Sequence, residues 1–101
     1  MFTFPDIPKR VEKRDIGAVV RAMDNESLIQ ALAGAAENAP ETREFILSSI
    51  SSRVAEQLRE ELGEAGKIKI RIAEDAQNAM IRTIRELETA GELTLVDDED
   101  E

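Results

Sequence analysis

The sequence predicts an all-α protein, a compact irregular bundle of about six helices. Aromatic residues are scarce, with three Phe and no Trp or Tyr. A core built from Leu, Ile, Val, Ala and Met suits helices packed on helices better than a β-sandwich. Apolar residues also recur at helical spacing in short segments, and caps, Gly and Pro separate these segments. Short capped helices of this kind favour an armadillo-like arrangement over an up-down four-helix bundle.

The first half of the chain contains three of the predicted helices. Residues 1–8 are apolar and interrupted by proline, so only a short helix fits there. The helix within residues 14–23 has one apolar face. This face consists of Ile16, Val19, Val20 and Met23. Asp24 and Asn25 have N-cap chemistry for a third helix, and we expect that helix to end at Gly34.

The fourth and fifth helices follow a predicted loop over residues 35–40. One of the two serines at positions 51–52 caps the fifth helix, which covers residues 53–64. Its apolar stripe is predicted to be Val54, Leu58 and Leu62. Gly63 and Gly66 then end the helix, because glycine is the preferred residue just past a helix C-terminus.

The last helix is predicted over residues 72–90. The segment that precedes it, residues 67–72, alternates polar and apolar side chains, which by itself is a strand pattern. Because only residues 93–96 offer a second candidate strand, we interpret 67–72 as an extended linker. The five consecutive acids at 97–101 predict a disordered acidic tail after a helical domain of residues 1–96.

The composition limits the possible chemistry and the possible partners. Without cysteine or histidine, the chain has no disulfide, no zinc–thiolate site and no Cys–His or Ser–His nucleophile. The net charge of −9 disfavours nucleic acid and anionic membranes as partners and favours a partner with positive charge. No apolar run approaches the roughly 20 residues of a membrane span, so we expect no direct membrane insertion. Nothing in the sequence implies a cofactor.

Acidic pairs are the remaining candidates for catalysis or metal binding. Glu56 and Glu60 share a helical face, and Glu61 is adjacent to Glu60. A dicarboxylate metal site usually adds histidine or converging carboxylates from a second helix, but the chain has no histidine, and these acids lie on the polar side of an amphipathic helix. The acids at 74–75 fit the first turn of a helix, and those at 97–101 lack the spacing of an EF-hand loop. We therefore predict no catalytic residue, no metal site and no enzymatic activity.

The fifth helix has the most informative surface. At about 100° per residue, one outward ridge is formed by Arg53, Glu56, Glu60 and Glu64. Glu61 lies beside this ridge, and Arg53 and Glu60 are about 10 Å apart along the axis. Composition alone favours an ordinary solvated face, since such i,i+4 pairs contribute only a few tenths of a kcal/mol.

The order of four segments changes this interpretation. They are MFTFPDI at 1–7, DNESLIQALAGA at 24–35, SRVAEQLREEL at 52–62 and EDAQNAMIRTIRELETAGE at 74–92. Together they resemble the hinge motif, the following segment, the torque helix and the final helix of the C-terminal, stator-facing subdomain of the FliG flagellar motor switch family. The resemblance covers nearly all of residues 1–96 in the correct order.

This resemblance implies a rotor and switch component of the bacterial flagellar motor, on the cytoplasmic face of the inner membrane. Its partners would be the cytoplasmic loop of a stator protein of the MotA or PomA type, other switch-complex proteins and neighbouring FliG subdomains. Position by position, Arg53 corresponds to the basic ridge residue of the family. Glu60 and Glu61 correspond to its acidic pair, and Lys69 to the basic residue after the helix.

The N-terminal motif Met1, Phe2, Thr3 and Phe4 corresponds to the family's hinge or docking segment. The simpler explanation is that Phe2 and Phe4 only anchor the segment in the core, and both roles are compatible. A hinge here would allow the charged helix to be reoriented when the direction of rotation switches.

Three positions depart from the family pattern. Ala33 stands where the family often has Lys, residues 37–41 form a longer connection than usual, and Lys67 replaces a customary proline. The first departure removes one positive contact with the stator. An alternative function therefore stays open, a stand-alone helical adaptor with the same fold that binds a different protein partner and has no role in the motor.

Overall fold

The structure, a computed structural model, describes residues 1–96, and in this range it forms six α-helices without a strand. A single 3₁₀ turn at Phe4–Asp6 precedes them. The helices are α1 (Ile7–Arg10), α2 (Lys13–Ala22), α3 (Asn25–Asn38), α4 (Pro40–Ser48), α5 (Ser52–Ala65) and α6 (Ile70–Thr89). The predicted all-α class is confirmed. The predicted acidic tail at 97–101 lies outside the described residues.

Asp24 begins α3 as its N-cap, as its residue type predicted. Its carboxylate accepts a hydrogen bond of 3.0 Å from the backbone N–H of Ser27. This bond is the main cause that holds the pKa of Asp24 below its ordinary value of 3.8, because it favours the charged form. One of the unpaired N–H groups at the start of the helix is thereby satisfied.

The prediction that α3 ends at Gly34 is wrong, and so is the predicted loop over residues 35–40. The helix continues to Asn38, and only Ala39 separates it from α4. Gly34 is buried where α3 meets α6, and a Cβ atom at this position would lie 2.1 Å from the Cβ of Ala73. The glycine therefore permits close helix packing and does not serve as a cap.

The α3–α6 interface also contains the buried amide of Gln77. Its Nε2 donates to the backbone oxygen of Ala31 at 3.1 Å and to Oδ1 of Asn38 at 3.2 Å. Nδ2 of Asn38 returns a bond of 3.2 Å to Oε1 of Gln77. The surrounding core is apolar. Its largest fully buried apolar side chains are Ile7, Ile16, Val19, Leu32, Ile46, Leu47, Met80 and Ile84.

Helix α5 begins as predicted but buries a different face. Ser51 is its N-cap, and its hydroxyl oxygen accepts a bond of 3.3 Å from the backbone N–H of Val54. The side chain of Val54 is 39% exposed, so its predicted place in the apolar stripe is wrong. The buried positions are Ala55, Leu58 and Leu62. These lie at i, i+3 and i+7, and Val54 lies about 100° around the helix from Ala55, at the edge of the buried face.

The end of α5 and the start of α6 follow the prediction in part. Gly63 lies inside α5, so only Gly66, with its positive φ of 66°, ends the helix. Residues 67–69 form the predicted non-helical linker, and α6 begins at Ile70. Ile70 and Ile72 are 50% and 41% exposed in the first turn of α6, and the described residues contain no strand with which they could pair. Among residues 1–96, no helix combines the length and the hydrophobicity that a bilayer-spanning segment needs.

Candidate protein-interaction surface

The outer face of α5 exposes a line of charged side chains. We call Arg53, Glu56, Glu60 and Glu64 the charged ridge, and all four are exposed. The opposite face of α5 is anchored by Leu58 and Leu62, which are 4% and 7% exposed. Because the buried face fixes the helix on α3 and α4, the ridge is presented on a rigid support. The structure therefore places Arg53 and Glu60 together on one accessible surface.

Glu61 differs from its neighbour Glu60 in its contacts. Its carboxylate accepts a hydrogen bond of 2.9 Å from Nδ2 of Asn25, the first residue of α3, and one of 3.5 Å from Nε2 of Gln57. The side chain is half-buried, whereas that of Glu60 is exposed. The acidic pair predicted from the sequence is thus divided into a free ridge residue and a residue that joins two helices.

Lys69 lies beyond the end of α5, as the N-cap residue of α6. Its side chain is exposed, and it forms no ion pair or hydrogen bond with the charged ridge in the described structure. It adds a positive charge after the helix but is not part of the ridge. Its assignment to the binding surface stays a prediction.

Arg59 is a residue of α5 that sequence reasoning missed. Its guanidinium pairs with the carboxylate of Glu44 on α4 at 3.1 Å. The hydrogen bond from Arg59 is the main cause that lowers the pKa of Glu44 below its ordinary value of 4.5. Fifteen residues separate the two positions, so no local spacing in the sequence indicates this contact. The pair fastens α5 to α4 on the side away from Asn25.

The N-terminal segment is packed into the domain. Phe2 and Phe4 are buried, at 5% and 4% exposure, whereas Met1 is fully exposed. The guanidinium groups of Arg10 and Arg85 each lie 5.6 Å from the centre of the Phe2 ring, within cation–π distance. Core anchoring of Phe2 is therefore observed, and a hinge role for this segment stays a prediction.

Thr3 and Phe4 fix the backbone of the same segment. The backbone N–H and the hydroxyl of Thr3 both donate to Oδ2 of Asp6 at 2.9 Å. The backbone bond is the main cause that lowers the pKa of Asp6 below its ordinary value of 3.8. The carbonyl of Phe4 accepts a bond of 3.3 Å from the buried hydroxyl of Thr42 on α4. The bond from Thr42 connects the segment to α4.

Within residues 1–96, no group of three or more carboxylates is placed to hold a metal ion. Three of the acids on α5, namely Glu56, Glu60 and Glu64, lie along the charged ridge, and Glu61 bonds to Asn25 on α3. The outer face of α5 is therefore an exposed charged surface.

Comparison with known proteins identifies the family. Residues 1–95 match the FliG C-terminal domain family. The chain belongs to this family. The resemblance inferred from the four ordered segments is confirmed.

The relatives in this family are longer proteins. The chain is 39% identical over 95 residues to the flagellar motor switch protein FliG of Thermotoga maritima, and the match covers 94% of this chain and 27% of that protein. It is 33% identical over 95 residues to FliG of Bacillus subtilis, with the same coverage. The chain thus spans about a quarter of the length of these curated relatives.

A solved FliG structure has the same fold. A crystal structure of FliG residues 116–343 from Helicobacter pylori superposes with a TM-score of 0.76 at 31% identity. The match covers 92% of this chain and 39% of the H. pylori fragment. The arrangement of the six helices is therefore that of a FliG C-terminal domain.

Proposed function

We propose that this chain is a non-enzymatic rotor and switch component of the bacterial flagellar motor. It acts at the cytoplasmic face of the inner membrane and receives torque through electrostatic contacts with the cytoplasmic loop of the stator. Membership of the FliG C-terminal domain family supports this role, since the relatives are named flagellar motor switch proteins. The predicted partners also include other switch-complex proteins and neighbouring FliG subdomains.

The single observation that carries the proposal is the charged ridge on a well-anchored helix. Arg53 and Glu60 are exposed, while Leu58 and Leu62 fix the opposite face of α5. Two opposite charges in contact attract by only about 1 kcal/mol in water and about 4 kcal/mol at an effective dielectric of 20. Contacts of this strength form and release repeatedly, which rotation in steps requires. The rigid support then passes the force to the rest of the domain.

Within this surface, we assign the main acidic contact to Glu60. Glu61 is already bonded to Asn25, so its carboxylate is less available to a partner. Lys69 contributes positive charge beyond the helix end, and it partly compensates for the neutral side chain of Ala33. Met1, Phe2, Thr3 and Phe4 form the predicted docking segment, through which the ridge is reoriented when the direction of rotation changes.

Reversal of the ridge charges tests this function. Arg53→Glu and Glu60→Lys are introduced together into the full-length switch protein, and swimming is measured in a strain that lacks the native copy. We expect a strong loss of motility with a nearly unchanged melting temperature, because both side chains are exposed. Arg82→Glu with Glu86→Lys, an exposed pair on α6, serves as the matched control and retains motility.

Reciprocal charge reversal in the stator loop identifies the partner. If charge reversals in the stator loop restore the motility of the Arg53→Glu, Glu60→Lys variant, the contact is assigned to the charged ridge. Normal motility in the ridge variant, even after Lys69→Glu is added to remove a redundant cation, contradicts the assignment. Capture of partners with the unmodified protein adds an independent test, since stator and switch-complex proteins are the expected partners.

A further inference from the structure

A cleft between α3, α4 and α5 combines positive charge with small side chains. It has a volume of about 470 Å³ and is closed on one side by the linker after α5. Its charged lining residues are Glu37, Arg43, Arg59 and Lys67. These three cations face Glu37 and also Glu44, which pairs with Arg59, so the local excess is +1 in a chain whose net charge is −9. This local reversal of sign is the feature from which the inference starts.

The cations of the cleft are available to a ligand. Arg59 pairs with Glu44 at 3.1 Å and Lys67 pairs with Glu37 at 3.4 Å, and the side chains of both pairs are well exposed. Exposed ion pairs of this type are weak, so a ligand carboxylate can replace either acid. Arg43 is half-buried and has no ion-pair partner among residues 1–96. Its guanidinium is therefore available as a donor in the site.

Gly63 leaves one wall of the cleft open. It lies inside α5, where glycine lowers helix stability relative to alanine. No atom lies within 4 Å of the position that its Cβ would take, so packing inside the domain does not require a glycine. The absence of a side chain does allow the backbone of a bound segment to approach α5 closely.

We propose that this cleft binds an acidic segment of a partner protein, with its carboxylates held by Arg43, Arg59 and Lys67. The two arginines present planar donor groups that match carboxylates, and the volume lies in the range of binding clefts. This site lies apart from the charged ridge and goes beyond the proposed torque contact. The cleft binds negatively charged groups, whereas the acids of the charged ridge attract positively charged groups.

The acids at positions 97–101 of the same chain are the other possible source of carboxylates. They follow Val96, whose backbone N–H donates to the carbonyl of Arg10 at 2.7 Å. Arg10 and Arg85 both contact Phe2, and Arg85 lies toward the far end of α6 from Ile70, which lines the cleft. Val96, the last described residue, therefore lies near the end of α6 opposite to Ile70 and the cleft, and we assign the cleft to a partner.

A titration of the full ¹⁵N-labelled chain with an end-blocked hexaglutamate peptide tests the proposal. We expect saturable shifts in the backbone NMR signals of Gly63, Gly66 and Arg43, and no comparable shifts along the charged ridge. Arg43→Gln and Lys67→Gln are each expected to weaken binding by about threefold, the fold-change that corresponds to one partly exposed ion pair. Arg82→Gln removes an equal charge from α6 and is expected to leave the affinity unchanged.

A second variant separates binding from folding. A Cβ at position 63 meets no atom within 4 Å, so we expect Gly63→Leu to leave the domain folded, as checked by circular dichroism, while the peptide shifts at the cleft disappear. Equal weakening by Arg82→Gln and Arg43→Gln overturns the proposal, because it shows general charge attraction only. Competition by inorganic phosphate at the same concentration as the peptide also overturns it, in favour of a phosphate site. If conversion of residues 97–101 to amides shifts the cleft signals without peptide, the ligand is the same chain, and the assignment to a partner is overturned.

Discussion

The side-chain amide of Asn25, the first residue of α3, donates a 2.9 Å hydrogen bond to the carboxylate of Glu61 on α5. This bond links the start of one helix to the last turns of the other. It explains why Glu61 is half-buried although it neighbours the fully accessible Glu60. The orientation of the charged ridge therefore depends on a contact that the ridge residues themselves do not make.

Removal of this bond is expected to destabilise the domain slightly. Asn25→Ala and Glu61→Ala should each lower the free energy of unfolding by about 0.5–1.5 kcal/mol, the usual net value of one hydrogen bond. The double variant should lose less than the sum of the two, since either change alone breaks the bond. Glu60→Ala is the matched control, with a change within about 0.5 kcal/mol. Urea unfolding measures all four, and strictly additive losses contradict a direct link.

Gly34 and Gly63 should respond in opposite directions to the same substitution. Gly34→Ala places a methyl group 2.1 Å from the Cβ of Ala73, so α3 and α6 must move apart, at a cost of about 1–3 kcal/mol or more. Gly63→Ala meets no atom within 4 Å and should stabilise α5 by about 0.5–1 kcal/mol. Thermal unfolding followed by helical circular dichroism measures both variants.

A compensating change tests the cause of the Gly34 effect. Ala73→Gly added to Gly34→Ala removes the methyl group that the new side chain meets, and it should recover most of the lost stability. A double variant that is as unstable as Gly34→Ala would show that the loss has another origin than the contact with α6.

Asp24 should make the stability of the domain depend on pH in the acid range. Its pKa is lowered in the folded state, so its charged form adds stability above the ordinary pKa of 3.8. This stability is lost as the pH falls through the folded pKa. Asp24→Asn keeps an N-cap acceptor but cannot titrate, so the melting temperatures of the two proteins should converge on acidification. Asp24→Ala lacks the cap and should have the lowest melting temperature of the three proteins near neutral pH. A difference in melting temperature between the wild type and Asp24→Asn that does not change with pH would contradict the assignment.

Phe2 and Met1 should differ sharply although they are adjacent. Phe2→Ala removes a buried ring between Arg10 and Arg85 and should cost about 3 kcal/mol of stability. Phe2→Leu keeps most of the apolar volume and should cost about 1 kcal/mol. Met1→Ala changes an exposed side chain and should have no measurable effect on urea unfolding. If Phe2→Ala leaves the free energy of unfolding unchanged, the result favours docking of this segment on another subdomain over anchoring of the core.

The helical class and the caps of α3 and α5 at Asp24, Ser51 and Gly66 could be predicted because they depend on local chemistry. Asp24 and Ser51 cap their helices through bonds to residues three positions away, and Gly66 ends α5 with a positive φ. The apolar spacing of α6 likewise indicates its buried face, since Met80 and Ile84 are four residues apart and fully buried. These features need no knowledge of the rest of the fold.

The errors have a tertiary cause. Gly34 has the residue type of a helix end, and only the approach of Ala73, thirty-nine positions later, shows that it is a packing residue. Val54 fits an apolar stripe as well as Ala55 does, and the position of α3 and α4 decides which of the two is buried. The role of Glu61 follows from Asn25 on another helix. The errors at Gly34 and Val54 therefore each required a contact between segments distant in the chain, and the bond of Glu61 depends on such a contact too. Gly63 differs, because its place inside α5 involves no such contact.

The close approach of α3 and α6 also limits how this sequence can diverge over generations. The space between Gly34 and Ala73 holds one methyl group and excludes a second. A side chain at position 34 therefore requires that the methyl group at position 73 is lost earlier or at the same time. Substitutions at these two positions should be correlated among descendants of this protein, while those at Gly63, where space is open, should be independent of position 73.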